Sequence, residues 1–156
     1  MFGTPIGPES AIDHSSLVST LPCLVLTAGL GTRLRPLTDL VAKPALPVAG
    51  KPLVSRILES LAGQGVTDAV LNLSHLPETI TAIVGDGSPF GLRGRYSWEQ
   101  PVLGSAGGPR RALPLLGPRF LIVNGDTLTD VALRDVVRAH EASGAAVTMA
   151  LVPHPA

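Results

Sequence analysis

The stretch CLVLTAGLGTRLRPLTDLVAK, residues 23–43, decides how this chain folds. Its first six residues are apolar apart from Thr27, and a short continuous run of this kind suits a strand buried on both faces. The run delivers the chain straight into Ala28, Gly29, Leu30, Gly31, Thr32 and Arg33. There the missing glycine side chains let backbone N–H groups approach an anion. By itself the glycine pair is equally compatible with an ordinary strand-to-helix turn.

Working outward, apolar runs with strand character recur at residues 69–73, 120–124 and 146–152, and residues 95–99 form a further candidate. Between them the spacing predicts helices. Leu53, Val54, Ile57, Leu58 and Leu61 share one face, with Pro52 suited to a first turn and Gly63 or Gly65 to a stop. Ile80, Ile83 and Val84 repeat the pattern after Pro77. Leu133, Val136 and Val137 do so after Asp130 as N-cap, with an end near Gly144. Strands alternating with helices predict an α/β, Rossmann-like fold: a mostly parallel sheet with helices on both faces. Pro114 is expected to cut short any helix begun at Pro109. Residues 29–50 and 85–94 read as turn-rich connections, and a long connection inside a compact domain is usually functional.

With 156 residues and 45% hydrophobic content, the chain has material for one domain with a real core. Twelve basic residues balance twelve acidic ones. No nucleic-acid surface or electrostatic membrane anchor is therefore expected, and any phosphate chemistry must be local. The single cysteine, Cys23, excludes an internal disulfide and a cysteine-based zinc cluster. No basic signal-peptide region or spanning segment is legible, so a cytoplasmic protein is expected. Residues 1–20 read as a flexible leader and residues 21–156 as the domain.

Local cations are present. Arg33, Arg35, Lys43 and Lys51 lie in or just after the loop, whose only acid is Asp39, and the two lysines are the only ones in the chain. Two common phosphate motifs fail. Gly50 and Lys51 are followed by Pro52 where a P-loop needs Ser or Thr, and no third glycine completes a dinucleotide fingerprint.

The segment LTAGLGTRLRPLTDLVAKPALPVAGKPLV, residues 26–54, closely resembles the opening signature of the sugar-phosphate nucleotidyltransferases. The likeness continues through LGSAGGP at residues 103–109 and FLIVNGDTLTD at residues 120–130, and so covers nearly everything after the leader. GDGSPFGL and RALPLLG look most like the mannose-1-phosphate guanylyltransferases and related uridylyltransferases of the family. Two positions depart from the pattern: Thr27, where the family more often has a smaller residue, and Ala42, where it more often has proline.

Asp126 follows the apolar run, at the carboxyl end of an expected inner strand, where α/β sheets bind ligands. A carboxylate after Asn-Gly is commonly a turn residue. The resemblance makes Asp126 the metal ligand, for Mg2+, a cation that takes one or two carboxylates plus substrate phosphates. Tyr96, Ser97, Trp98 and Glu99 alternate in strand fashion and lead to Gly104, in a segment that resembles the family's base-recognition loop. Glu99 would then accept N–H donors from a base; the alternative is a solvated edge-strand glutamate. His14, His75, His140 and His154 have no catalytic pattern around them, nor have Ser15, Ser16 and Ser55.

The resemblance implies a nucleoside triphosphate and a sugar 1-phosphate as substrates, with GTP and mannose 1-phosphate as the leading pair. Arg33, Lys43 and Asp126 would be the catalytic residues. Ala28, Gly29, Gly31, Thr32, Arg33, Glu99 and Gly104 would bind nucleotide. The family's second metal carboxylate and most of its sugar pocket would lie beyond Ala156, so the chain is expected to be an amino-terminal part. A regulatory module that binds nucleotide or nucleotide-sugar without turnover, or an inactive fragment, is the competing expectation.

Overall fold

The structure, a computed structural model, describes residues 18–151. In chain order it runs β1 (Cys23–Leu26), a hairpin of β2 (Pro47–Val48) and β3 (Lys51–Pro52), α1 (Leu53–Gly63), β4 (Asp68–Leu73), α2 (Pro77–Val84), β5 (Arg93–Trp98), α3 (Gly104–Leu116), β6 (Leu121–Asn124) and α4 (Leu133–Ser143). The main sheet has four strands in the order β5-β4-β1-β6, every neighbouring pair parallel.

Strand alternation sorts the side chains onto two faces. Cys23 and Val25 of β1 join Ala69, Leu71 and Leu73 of β4 in one core, against Val54, Ile57, Leu58 and Leu61 of α1, Ile80 and Val84 of α2, and Leu133 and Val137 of α4. Leu24 and Val70 point the other way, onto Ala112 and Leu116 of α3. Helices therefore cover both faces, as the sequence predicts. The strands that alternate on two buried faces look continuously apolar in sequence for this reason.

Several boundaries differ from expectation. Residues 146–151 form no strand, and Val152 lies outside the described residues. Asp130 is not the cap of α4: Ala132 occupies that position, and the amide of Leu133 is taken by Gln64 Oε1 at 2.8 Å. The cap comes from a side chain far away in sequence, which no local pattern can reveal. Helix α3 runs through both Pro109 and Pro114. Each proline removes one internal hydrogen bond, while burial of Gly108, Pro109, Ala112 and Leu116 along one side holds the segment on the sheet. Strand β6 is an edge strand of the described sheet, not an inner one, with Ile122 about half exposed. The connection 29–50 is more ordered than expected, holding three 3₁₀ turns and the small hairpin. Of the expected leader, residues 1–17 lie outside the described part, and Val18 is fully buried in the main core.

Cys23 sits in that core, and burial pushes its thiol up to about 12. The thiolate is the reactive form. A thiol reagent at pH 8 is therefore expected to modify Cys23 only as fast as the native chain opens, and quickly once denaturant is added. Labelling of the native chain at the rate of a free cysteine would contradict this packing.

Candidate functional site

Strands β1, β4, β5 and β6 all point their carboxyl ends to one side, and the sequence-predicted loops gather there. An open cleft of about 230 Å³ is lined by Ala28 and Gly29 after β1, Asn72 near the end of β4, Glu99 after β5, Gly104 and Ser105 at the start of α3, and Asn124 and Asp126 at the end of β6.

The glycine loop leaves β1 with Thr27 buried and Gly29 exposed. Among the described residues the amides of Ala28, Gly29 and Leu30 take no intramolecular acceptor. Backbone donors left without internal partners are what an anion needs. No atom stands within 4 Å of where a Gly29 side chain would begin. Gly31 is constrained differently. Its φ is +62°, and a Cβ there would fall 2.8 Å from Thr38 Cγ2 and 3.1 Å from Lys43 Cβ. The same Thr38 donates its hydroxyl to the Gly31 carbonyl at 3.0 Å. Gly31 is thus the close approach that lets the loop fold back and set Lys43.

Lys43, in the third 3₁₀ turn, reaches across to Asp126, with Nζ 2.5 Å from Oδ2. The lysine hydrogen bond holds the Asp126 carboxyl below its ordinary value, against the opposing effect of its partial burial. Both side chains are partly exposed, at 27% and 42%. A pair exposed to this degree contributes little to folding, about 0–1 kcal/mol, so a charged ligand can open it at small cost. Asp126 Oδ1 also accepts the Thr127 hydroxyl at 3.1 Å.

Gly125 brings Asp126 into place. A Cβ on Gly125 would run into Leu26 O and fall 2.9 Å from Thr27 Cγ2, so the turn after β6 lies directly on the end of β1. The larger residue at position 27 also hydrogen-bonds through its hydroxyl to the Asn72 carbonyl. The departure at Ala42 has a local use as well, since its amide donates to Thr79 Oγ1 at 3.2 Å and proline has no such donor.

The other cations do not converge. Lys51 is held by the Glu59 carboxylate at 2.5 and 2.7 Å, and Arg35 pairs with Asp39 at 3.2 Å. Arg33 and Thr32 are exposed on the first 3₁₀ turn, and Arg33 has no ion pair among the described residues. On the opposite wall Glu99 is not a solvated edge residue. It is 3% exposed, with Oε1 accepting from Asn72 Nδ2 at 2.7 Å and Oε2 from the Leu103 amide at 3.0 Å. Of the histidines, His75 is bonded to the Thr38 carbonyl at 2.7 Å and His140 to the Thr148 hydroxyl at 3.0 Å; His14 and His154 lie outside the described residues. Asn72 was not legible as a site residue. Its one signal is being the only polar side chain in the apolar run 69–73.

Asp126 is the residue here that could hold a hard cation. Among the described residues no three His, Cys, Asp or Glu side chains gather around a metal position. A lone carboxylate fits magnesium when phosphates and water supply the rest of its shell.

A family model described as nucleotidyl transferase matches residues 23–156. An N-acetylmuramate alpha-1-phosphate uridylyltransferase of Neisseria meningitidis serogroup B is 48% identical over 113 residues, covering 71% of this chain and 49% of that protein. A mannose-1-phosphate guanylyltransferase of Mycobacterium tuberculosis is 38% identical over 130 residues, covering 83% of this chain and 36% of the other. The crystal structure of HddC from Yersinia pseudotuberculosis complexed with GMP-PN superposes with a TM-score of 0.70 at 28% identity, over 77% of this chain and 54% of that one. The chain thus spans about half, or less, of the length of these relatives.

Proposed function

Because this chain belongs to the nucleotidyl transferase family, we propose that it carries the nucleotide site of an enzyme that transfers a nucleotidyl group from a nucleoside triphosphate to a sugar 1-phosphate, releasing pyrophosphate. The observation that carries this reading is the Lys43–Asp126 pair, 2.5 Å apart beside the cleft into which Ala28 and Gly29 open. One cation for phosphate oxygens and one carboxylate for a metal stand where backbone donors have no partner among the described residues.

In this reading a phosphate oxygen of the sugar 1-phosphate attacks the α-phosphorus. The nucleophile is already an anion, so no general base is required, and the work reduces to alignment and charge neutralisation. The Gly29 and Gly31 backbone, with Ala28 and Thr32, cradles the triphosphate, and the exposed guanidinium of Arg33 closes on it. Lys43 leaves Asp126 to neutralise the reacting phosphates. Enzymes of this family generally use a divalent metal ion; we assign magnesium to Asp126, where it would supply charge neutralisation to the triphosphate when bound. Glu99 and Gly104 form the base side.

GTP with mannose 1-phosphate is the pair we favour, since a carboxylate accepts the two neighbouring N–H donors of guanine better than the single imide N–H of uracil. A uridylyl enzyme is the second reading, favoured by the 48% identity to the meningococcal relative. Pyrophosphate release should be measured with magnesium, each nucleoside triphosphate and a panel of sugar 1-phosphates. The expected result is release that needs both substrates and is fastest with GTP. Tight nucleotide binding with no release from any combination would instead identify a binding module.

A further inference from the structure

The geometry points to Asn72 as a positioning residue for the nucleotide: its carboxamide ties the first amide of the phosphate loop to the carboxylate on the base side of the cleft. This inference rests on the cleft being the nucleotide site.

Asn72 stands in β4 between Leu71 and Leu73, directly across from Leu26 on β1 and Ser97 on β5. It is 4% exposed, and a polar side chain buried to this degree is costly unless its hydrogen bonds are made. Its amide is instead committed on both sides. Oδ1 accepts from the Thr27 amide at 2.6 Å, and Nδ2 donates to Glu99 Oε1 at 2.7 Å. Glu99 Oε2 then takes the Leu103 amide at 3.0 Å. The orientation of the carboxamide is dictated by these partners, because a backbone amide can only donate and an ionised carboxylate can only accept. The relay therefore runs from Thr27, next to Ala28 and Gly29, to Leu103, next to Gly104, and the residues beyond both ends line the cleft.

A second constraint comes from helix α3, whose Gly108 lies against the middle of the relay. A Cβ there would run into Glu99 Oε1 and fall 2.8 Å from Asn72 Nδ2. Bare backbone pressed onto the pair leaves the carboxylate no room to swing away. With both oxygens held at one lone pair each, Glu99 presents its remaining acceptor capacity in a fixed direction. The phosphate loop starts from an amide fixed by the same side chain. One residue so sets the separation of base and phosphate subsites.

The polarity of the relay supplies its own test. Glu99→Gln sets a donor against a donor, and Asn72→Asp sets an acceptor against an acceptor. Combined, the exchange satisfies every bond again: the new carboxylate at position 72 accepts from the Thr27 amide and from the new carboxamide at position 99, whose oxygen accepts from the Leu103 amide. Magnesium-GTP and magnesium-UTP binding should be titrated by calorimetry with the full chain at a temperature where each variant remains folded. Each single variant is expected to lose roughly ten- to hundredfold in affinity for both nucleotides, the scale of one unpaired buried polar group. The double variant is expected to bind nucleotide about tenfold more tightly than Glu99→Gln alone, because the two share the same carboxamide beside the base and differ only in whether the relay is satisfied. Loss of thermal stability without loss of affinity in the folded chain would make Asn72 structural only. Singles that bind like the wild type, or a double that binds no better than Glu99→Gln alone, would also overturn the proposal. If the wild-type chain binds neither nucleotide, the assignment of the cleft fails. The melting temperatures of the same four proteins then still report whether the relay exists, because only a real relay is restored by the exchange.

Discussion

Replacing Asp126 by Asn is expected to lower nucleotidyl transfer by at least about a hundredfold at saturating magnesium, with little change in melting temperature. The magnitude is that of removing one preorganised electrostatic group from a phosphate site, about 3–4 kcal/mol. Asparagine keeps the shape of the side chain and one oxygen but removes the charge that would hold a metal and balance Lys43. Folding should tolerate the change, because the side chain is 42% exposed and its ion pair with Lys43 is of the partly solvated kind. Lys43→Ala should have a similar effect on rate, and the double variant should lose far less than the product of the two, as groups acting on one charge are not additive. Pyrophosphate release by the three variants, with melting curves alongside, checks this. Full activity in either single variant would remove both residues from the chemistry.

The largest effect on stability is expected at Leu71. It is fully buried at the centre of β4, opposite Val25 of β1 and Tyr96 of β5, in the core shared with helices α1 and α2. Leu71→Ala removes the contacts and leaves a cavity that close-packed neighbours fill only in part, at a cost of about 2–5 kcal/mol. For a domain of this size that corresponds to a fall in melting temperature of roughly 5–20 °C. Leu40, 78% exposed in the loop after β1, provides the contrast: its alanine variant should melt within a degree or two of the wild type. Calorimetric or circular-dichroism melts of the two variants test the burial pattern directly.

The fold was legible wherever local chemistry determines it. The glycine pair after β1, the apolar faces of α1 and α2, and the glycine ending α4 announce themselves through spacing and turn requirements. What stayed hidden depends on distant partners. Gln64 caps α4 in place of Asp130, and packing on the sheet carries α3 through Pro109 and Pro114. The run 146–151 has strand composition but no strand neighbour among the described residues. The site divides in the same way. Gly29, Gly31, Lys43 and Asp126 stand in recognisable motifs, whereas Asn72 matters only because Thr27 and Glu99 arrive from two other strands. The clustering of four cations in sequence did not survive folding, since Lys51 and Arg35 find their own carboxylates at short range.

In the proposed reaction the loop of residues 28–43 and Asp126 act together on a triphosphate, with attack at the α-phosphorus. The most direct test uses a nucleoside triphosphate radiolabelled at the α- or the γ-phosphorus, incubated with the chain, magnesium and a sugar 1-phosphate, and the products separated. The α-label should appear in a nucleotide-sugar and the γ-label in pyrophosphate. Transfer of the γ-label to the sugar, or release of the α-label only as free nucleotide, would contradict it.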